Sequence, residues 1–206
     1  MSDLHQLLHP GTTAVVTMEM QRGVVGDLST IADLAEAART ANLIEEIGRL
    51  LDGARDAGAT VCHATVSWRA DRRGTSMNTP MGRALSKNPA QILDGSDAAH
   101  LLPAFSGHGS DLRSHRHHGF TPFTGTDLDA LLRNCGIRTI IATGVSVNVG
   151  ILGLVLSAVD LGYSVVVPTD AVVGMPSHYA AEVIHHSIAP LAALTTIDDI
   201  LATWSD

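Results

Sequence analysis

The chain has 206 residues, 45% of them hydrophobic and 17% charged, with 13 Lys and Arg against 21 Asp and Glu and a net charge of −8. These figures suit one domain, residues 1–206, with a core of its own, and they exclude a disordered chain. An acidic chain without a Lys/Arg cluster argues against nucleic acid or an anionic membrane as partner.

In chain order, Thr13–Glu19 is a short β-branched run between Pro10-Gly11 and Gly23, expected as a buried strand. From Ile31 to Ala57, apolar residues recur every three or four positions, which predicts one long helix. Thr30 with Asp33 is the expected cap, and Gly58 the left-handed stop. Thr60–Val66 is a second strand, and strand, helix and strand with so long a crossover make the βαβ unit of a parallel sheet.

From Ser67 to about His118 the pattern is irregular, with prolines at 80 and 89 and five glycines. A stretch of that length inside a domain is more often functional than idle. Regularity returns with a short helix capped by Thr126 and Asp129, then a strand from Arg138 to Thr143. The turn Gly144–Gly150 leads into a helix closed at Gly162, followed by the strand Ser164–Pro168. A helix over Ser177–Ile188, a strand near Leu191–Thr195 and a helix capped by Thr196 and Asp199 complete the chain. This alternation predicts a three-layer α/β/α sandwich on a mostly parallel six-stranded sheet. Met1–Pro10 lacks the pattern of a secretory signal, and no apolar run reaches the ~18 residues of a membrane span. A cytoplasmic setting is expected.

Ligands of open parallel sheets bind beyond the carboxyl ends of the strands. Glu19, a lone carboxylate ending an apolar strand, is therefore either a solvated strand end or a partly desolvated acid suited to proton transfer. The turn Gly144–Gly150 is neither a dinucleotide fingerprint nor a serine elbow, because GxGxxG is absent and no glycine follows Ser146 by two. Its backbone could hold an anion, with Ser146, Asn148 and Gly150 at the ligand. In Ser114–His118, strand alternation would put His115 and His117 on one face and Arg116 on the other. Two ligands do not make a site, so no metal or other cofactor is assigned. Cys62 and Cys135 read as small buried hydrophobes.

The segments AVVTMEMQ, FTPFTGTDLDALLRNCGIRTIIATGVSVNVGILGLVLSAVDLGYSVVVPTDAV and HHSIAPLAALTTIDDIL together resemble the isochorismatase-like, or cysteine, hydrolases over residues 12–200. The resemblance implies a parallel sheet flanked by helices, assembly as a homodimer or homotetramer, and a small-molecule substrate. It also implies a catalytic aspartate, lysine and cysteine, which fall at Glu19, His117 and Gly150, so all three differ here. A chain without the cysteine resembles the true isochorismatases, in which the strand-one acid works without a thioester. The resemblance further implies a non-proline cis peptide at Val145–Ser146. The D-x-H motif of metal-dependent nicotinamidases falls at Thr65-Val66-Ser67, where it is absent.

The expected function is hydrolysis of a small, anionic metabolite by non-covalent acid–base chemistry. Glu19 and His117 are the catalytic candidates, and Trp68, Phe120 and Phe123 the pocket walls. The alternative is an inactive member serving as a small-molecule-binding or assembly module. Glu19 and His117 sharing one closed pocket would favour catalysis; a solvent-facing His117, or Glu19 paired with a buried arginine, would favour binding.

Overall fold

A computed structural model describes residues 4–88 and 91–205, so Pro89 of the irregular stretch lies outside the described residues. Its strands are β1 (Thr13–Met18), β2 (Thr60–Val66), β3 (Leu112–Arg116), β4 (Thr139–Val145), β5 (Ser164–Pro168), β6 (Val172–Val173) and β7 (Ala193–Thr195). They form one sheet in the order β3-β2-β1-β4-β5-β7, with β6 on the end of β4, and every paired strand is parallel. The six expected strands are thus joined by a seventh of two residues.

Burial on both faces explains the continuous apolar runs: every residue of β1 and of β4 is buried. On one face Val15, Val61, Ile141 and Val166 pack against α2 (Ala32–Thr40), α3 (Leu43–Ala57) and α8 (Ile197–Ser205). On the other, Val16, Cys62, Ile140 and Val165 pack against α5 (Leu128–Asn134), α6 (Leu152–Asp160) and α7 (Ser177–Val183). The remaining helices are the short α1 (Leu4–Leu7) and α4 (Pro80–Ser86).

Several local expectations are corrected. The single helix over Ile31–Ala57 is two, because Asn42 adopts a left-handed conformation (φ 53°) that Asn tolerates better than most residues. Thr30 and Asp33 do not cap it: the N-cap of α2 is Ile31, whose N–H is accepted by Ser29 Oγ at 3.1 Å. Gly58 is the left-handed stop of α3, with φ 80°. The helix after β4 begins with a π-turn, Val147–Ile151, and α7 ends in another, Ile184–Ile188. Thr196 and Asp199 do cap α8, through Thr196 Oγ1 to Asp199 Oδ2 at 2.8 Å and Asp199 N to Thr196 Oγ1 at 3.2 Å. The irregular stretch holds α4 and the edge strand β3.

Candidate active site

Strand order reverses beside β1, whose neighbours β2 and β4 lead the sheet away in opposite directions. Ligands of doubly wound sheets bind at such a point, and a cavity of about 280 Å³ opens there. Glu19, Trp68, Arg116, Phe120, Ser146, Asn148 and Gly150 contribute to it, so most of the expected site residues are brought together. Ile31, Leu34 and Ile92 supply apolar wall.

Glu19 leaves β1 in the left-handed region (φ 56°), with its N–H on the Ala64 carbonyl at 2.9 Å. That turn carries the carboxylate out of the strand plane and into the cavity, where its side chain is 20% exposed. Its partner is Arg116, the last residue of β3, whose Nη2 donates to Glu19 Oε1. The alternation expected for this segment is observed: Ser114 and Arg116 are buried while Arg113 and His115 are exposed.

Arg116 is 3% exposed at its side chain. Its Nε donates to the Gly119 carbonyl at 3.3 Å, and its Nη1 is buried with no acceptor among the described residues. A buried, unpaired guanidinium N–H costs about 1–3 kcal/mol or more, so Nη1 is a polar group left unsatisfied beside Glu19.

His117 is not brought to Glu19. Its side chain is 56% exposed, and its Nδ1 lies 3.5 Å from Asp94 Oδ1, outside the cavity. The reason is strand parity: one residue along β3 turns the side chain to the opposite face. Arg116, one position earlier, occupies the place that counting back from Phe123 gave to His117. The sequence carried no signal for this choice, because β3 has no apolar pattern to fix its phase. Phe123 is also absent from the cavity; it stacks on Tyr163 at 6.1 Å, behind the sheet.

The Val145–Ser146 peptide is cis, as the resemblance implies. Beyond it, the Ser146 carbonyl accepts from Val149 N at 3.2 Å and Ile151 N at 3.0 Å, which winds the π-turn. Asn148 Nδ2 donates to the Met175 carbonyl at 2.9 Å, and its Oδ1 is buried without a donor among the described residues. A Cβ on Gly150 would stand 2.8 Å from the Val145 carbonyl oxygen and 3.2 Å from Met18 Cε. The turn is therefore wound too tightly here for the cysteine that the resemblance puts at this position.

Neither existing cysteine reaches the cavity. Cys62 lies in the core of β2, where burial pushes its thiol up to about 12. Cys135, expected to be buried, is exposed as the C-cap of α5. Gln21, two residues beyond Glu19, was not singled out by its sequence, yet it is fully buried and holds the backbone of Val66, a residue of the cavity wall. Its Nε2 donates to the Val66 and Ala99 carbonyls, and its Oε1 accepts from Val66 N.

Comparison with known proteins agrees with this architecture. The isochorismatase domain family matches residues 13–199. An uncharacterised isochorismatase family protein of Escherichia coli O157:H7, YecD, is 28% identical over 195 residues, covering 94% of this chain and 97% of its own. A cysteine hydrolase structure from Pseudomonas syringae pv. phaseolicola 1448A superposes with a TM-score of 0.78 at 22% identity, over 97% of this chain and 95% of that one. N-carbamoylsarcosine amidase from Thermoplasma acidophilum gives a TM-score of 0.71 at 20% identity, over 91% and 97%.

Proposed function

Because the chain belongs to the isochorismatase domain family of hydrolases, we propose that it hydrolyses a small anionic metabolite without a covalent enzyme intermediate. The observation that carries this reading is the Glu19–Arg116 pair, whose two residues line one cavity at the carboxyl ends of the strands. Arg116, which lines the cavity beside Glu19, holds the substrate's carboxylate or developing oxyanion by a charge-assisted bond. Glu19 is the only carboxylate among the described residues lining that cavity, and it serves as the acid or base. As a carboxylic acid it would protonate the leaving atom; as a carboxylate it would take a proton from the attacking water. Arginine cannot share that proton, because it stays charged at all relevant pH, so its part is to position and to neutralise. Ser146 and Asn148 contact the ligand beside Gly150, and Trp68 and Phe120 cover its apolar part. Gly150 presents no nucleophile, and the Cys62 thiol is both buried and protonated. The protein acts in the cytoplasm as a homodimer or homotetramer on this reading.

A second reading is ligand binding without turnover. It is favoured by the solvent-facing His117 and by the engagement of Glu19 with a buried arginine. Both readings are tested by a panel of small carboxylates carrying vinyl ether, amide or carbamoyl groups, run on wild type, Glu19→Gln and Arg116→Met. Catalysis predicts turnover that falls at least ~100-fold in Glu19→Gln, with the Michaelis constant raised in Arg116→Met. Turnover indifferent to Glu19→Gln overturns the mechanism. Ligand-induced thermal stabilisation without turnover, lost in Arg116→Met, establishes the binding module.

A further inference from the structure

Outside the cavity, the edge of the sheet brings together three side chains that the function does not use. His115 and His117 project from the same face at the end of β3, with ring centroids 4.7 Å apart. The residues after β2 bring up a carboxylate: Trp68 bridges to Leu93, Trp68 N donates to the Ile92 carbonyl, and Asp94 N donates to the Trp68 carbonyl, each at 2.9 Å. Asp94 Oδ1 then lies 3.5 Å from His117 Nδ1 and 4.0 Å from His115 Nε2, and the three ligand atoms fall within 4.8 Å of one another.

We propose that Asp94, His115 and His117 form a binding site for a divalent transition-metal ion of the zinc type. Metal–ligand bonds of about 2.0–2.1 Å at tetrahedral angles put ligand atoms about 3.3 Å apart. The two distances to Asp94 are close to that value before any ion draws the groups in. Two imidazoles and one carboxylate are the donors such ions prefer, and three protein ligands leave a position for water.

The ligands are also oriented from behind. His115 Nδ1 is held by Thr65 Oγ1 at 2.8 Å, which points Nε2 towards Asp94. Ser67 Oγ meets that Nε2 at 2.8 Å and donates to Asp94 Oδ1, so an ion bound between these two groups takes the place of this hydroxyl. A hydroxyl on the ring nitrogen away from the ion fixes the orientation that a metal requires. Thr65 therefore supports the ion, while the ligands come from β3, the residue just beyond it and the 91–94 segment. A bound ion would tie the tip of β3 to the segment that carries Gln91 and Ile92 of the cavity wall.

The test is titration of chelator-treated protein with zinc chloride by calorimetry, with cobalt(II) chloride as the spectroscopic probe. One equivalent is expected to bind wild type, to give cobalt absorption of low-symmetry coordination, and to raise the melting temperature. Asp94→Ala, His115→Ala and His117→Ala should each weaken binding at least ~100-fold and abolish the thermal shift, and Thr65→Val should cost about tenfold. All these residues except Thr65 are exposed, and circular dichroism verifies that each variant is folded. His186→Ala, which disturbs the exposed His186–Glu182 pair, should bind as wild type does. No binding to wild type, binding that survives Asp94→Ala with His115→Ala, or binding lost in His186→Ala overturns the proposal. None of these outcomes depends on Glu19.

Discussion

Gln21 is clipped to Val66 by both ends of its amide, donating to the Val66 carbonyl at 2.9 Å and accepting from the Val66 N–H at 2.8 Å. The clip joins a residue three positions past the end of β1 to the last residue of β2, and a third bond runs on to the Ala99 carbonyl at 2.7 Å. Every partner is main chain, so no side chain can rotate to compensate for its loss.

Gln21→Ala is therefore expected to destabilise the fold by about 3 kcal/mol, since unsatisfied buried groups cost about 1–3 kcal/mol each. Gln21→Glu should cost a similar amount, because a carboxylate cannot donate to two carbonyls. Urea denaturation reads both. A loss under about 0.5 kcal/mol for Gln21→Ala would show that the clip is dispensable.

His63 gives the fold a pH dependence. It is buried between Thr17 Oγ1, at 2.7 Å from Nδ1, and Asp111 Oδ2, at 3.1 Å from Nε2. Burial pushes its pKa below the usual 6.5, against the pull of Asp111. The unfolded chain thus binds a proton more readily than the fold, and stability rises with pH from the folded value up to about 6.5. Asp111 acts in a lower window: despite burial, the bonds from Arg55 and His63 hold it below the ordinary 3.8. Its contribution is present above that value and is lost as pH falls through the folded one. Unfolding free energies measured between pH 4 and 8 should climb, and His63→Gln should flatten the climb below about pH 6.5. An unchanged slope would assign the effect to other groups.

The two thiols should differ sharply towards iodoacetamide at neutral pH. Exposed Cys135 is expected to take one label, while Cys62, with its thiol pushed up to about 12 by burial, stays unmodified until the protein unfolds. Mass spectrometry counts the adducts. Labelling of Cys135 should leave any turnover intact; loss of turnover at an intact fold would reopen the question of the nucleophile.

Restoring a thiol at position 150 should fail. Gly150→Cys and Gly150→Ala both put a Cβ 2.8 Å from the Val145 carbonyl, which is backbone and can yield only by unwinding the turn. Both are expected to cost about 1–3 kcal/mol, and Gly150→Cys should gain no alkylation-sensitive amidase activity. A stable Gly150→Cys protein with such activity would show that the turn adapts freely.

The sheet was legible because both faces are covered: β1, β2, β4 and β5 read as short runs rich in β-branched residues, and their bounds shift by no more than two residues. Glu19 was legible for a related reason, as a carboxylate that interrupts such a run. What escaped was set by tertiary contact. β3 lies on the edge and alternates buried Ser114 and Arg116 with exposed Arg113 and His115, so no apolar pattern announces it or its phase. A one-residue difference in phase separates Arg116 in the cavity from His117 at the surface. The break at Asn42 was hidden by the continuous apolar stripe on either side of it. Asp94 was invisible as a third ligand, since only the bridge between Trp68 and Leu93 carries it to β3.

Helix α4 has no buried residue of its own, yet its Met81 and Leu85 line the cavity. An occupant would therefore supply the apolar surface that the fold withholds from this helix, at about 25 cal/mol per Å² covered. Occupancy and the local unfolding of α4 are then two readings of one equilibrium. Backbone amides of residues 81–86 should exchange with deuterium fast in the free protein and slow down on binding, while those of β1 and β4 scarcely change. The rim of the pocket would in that case serve as its own reporter, a means of screening for the metabolite before any chemistry is known.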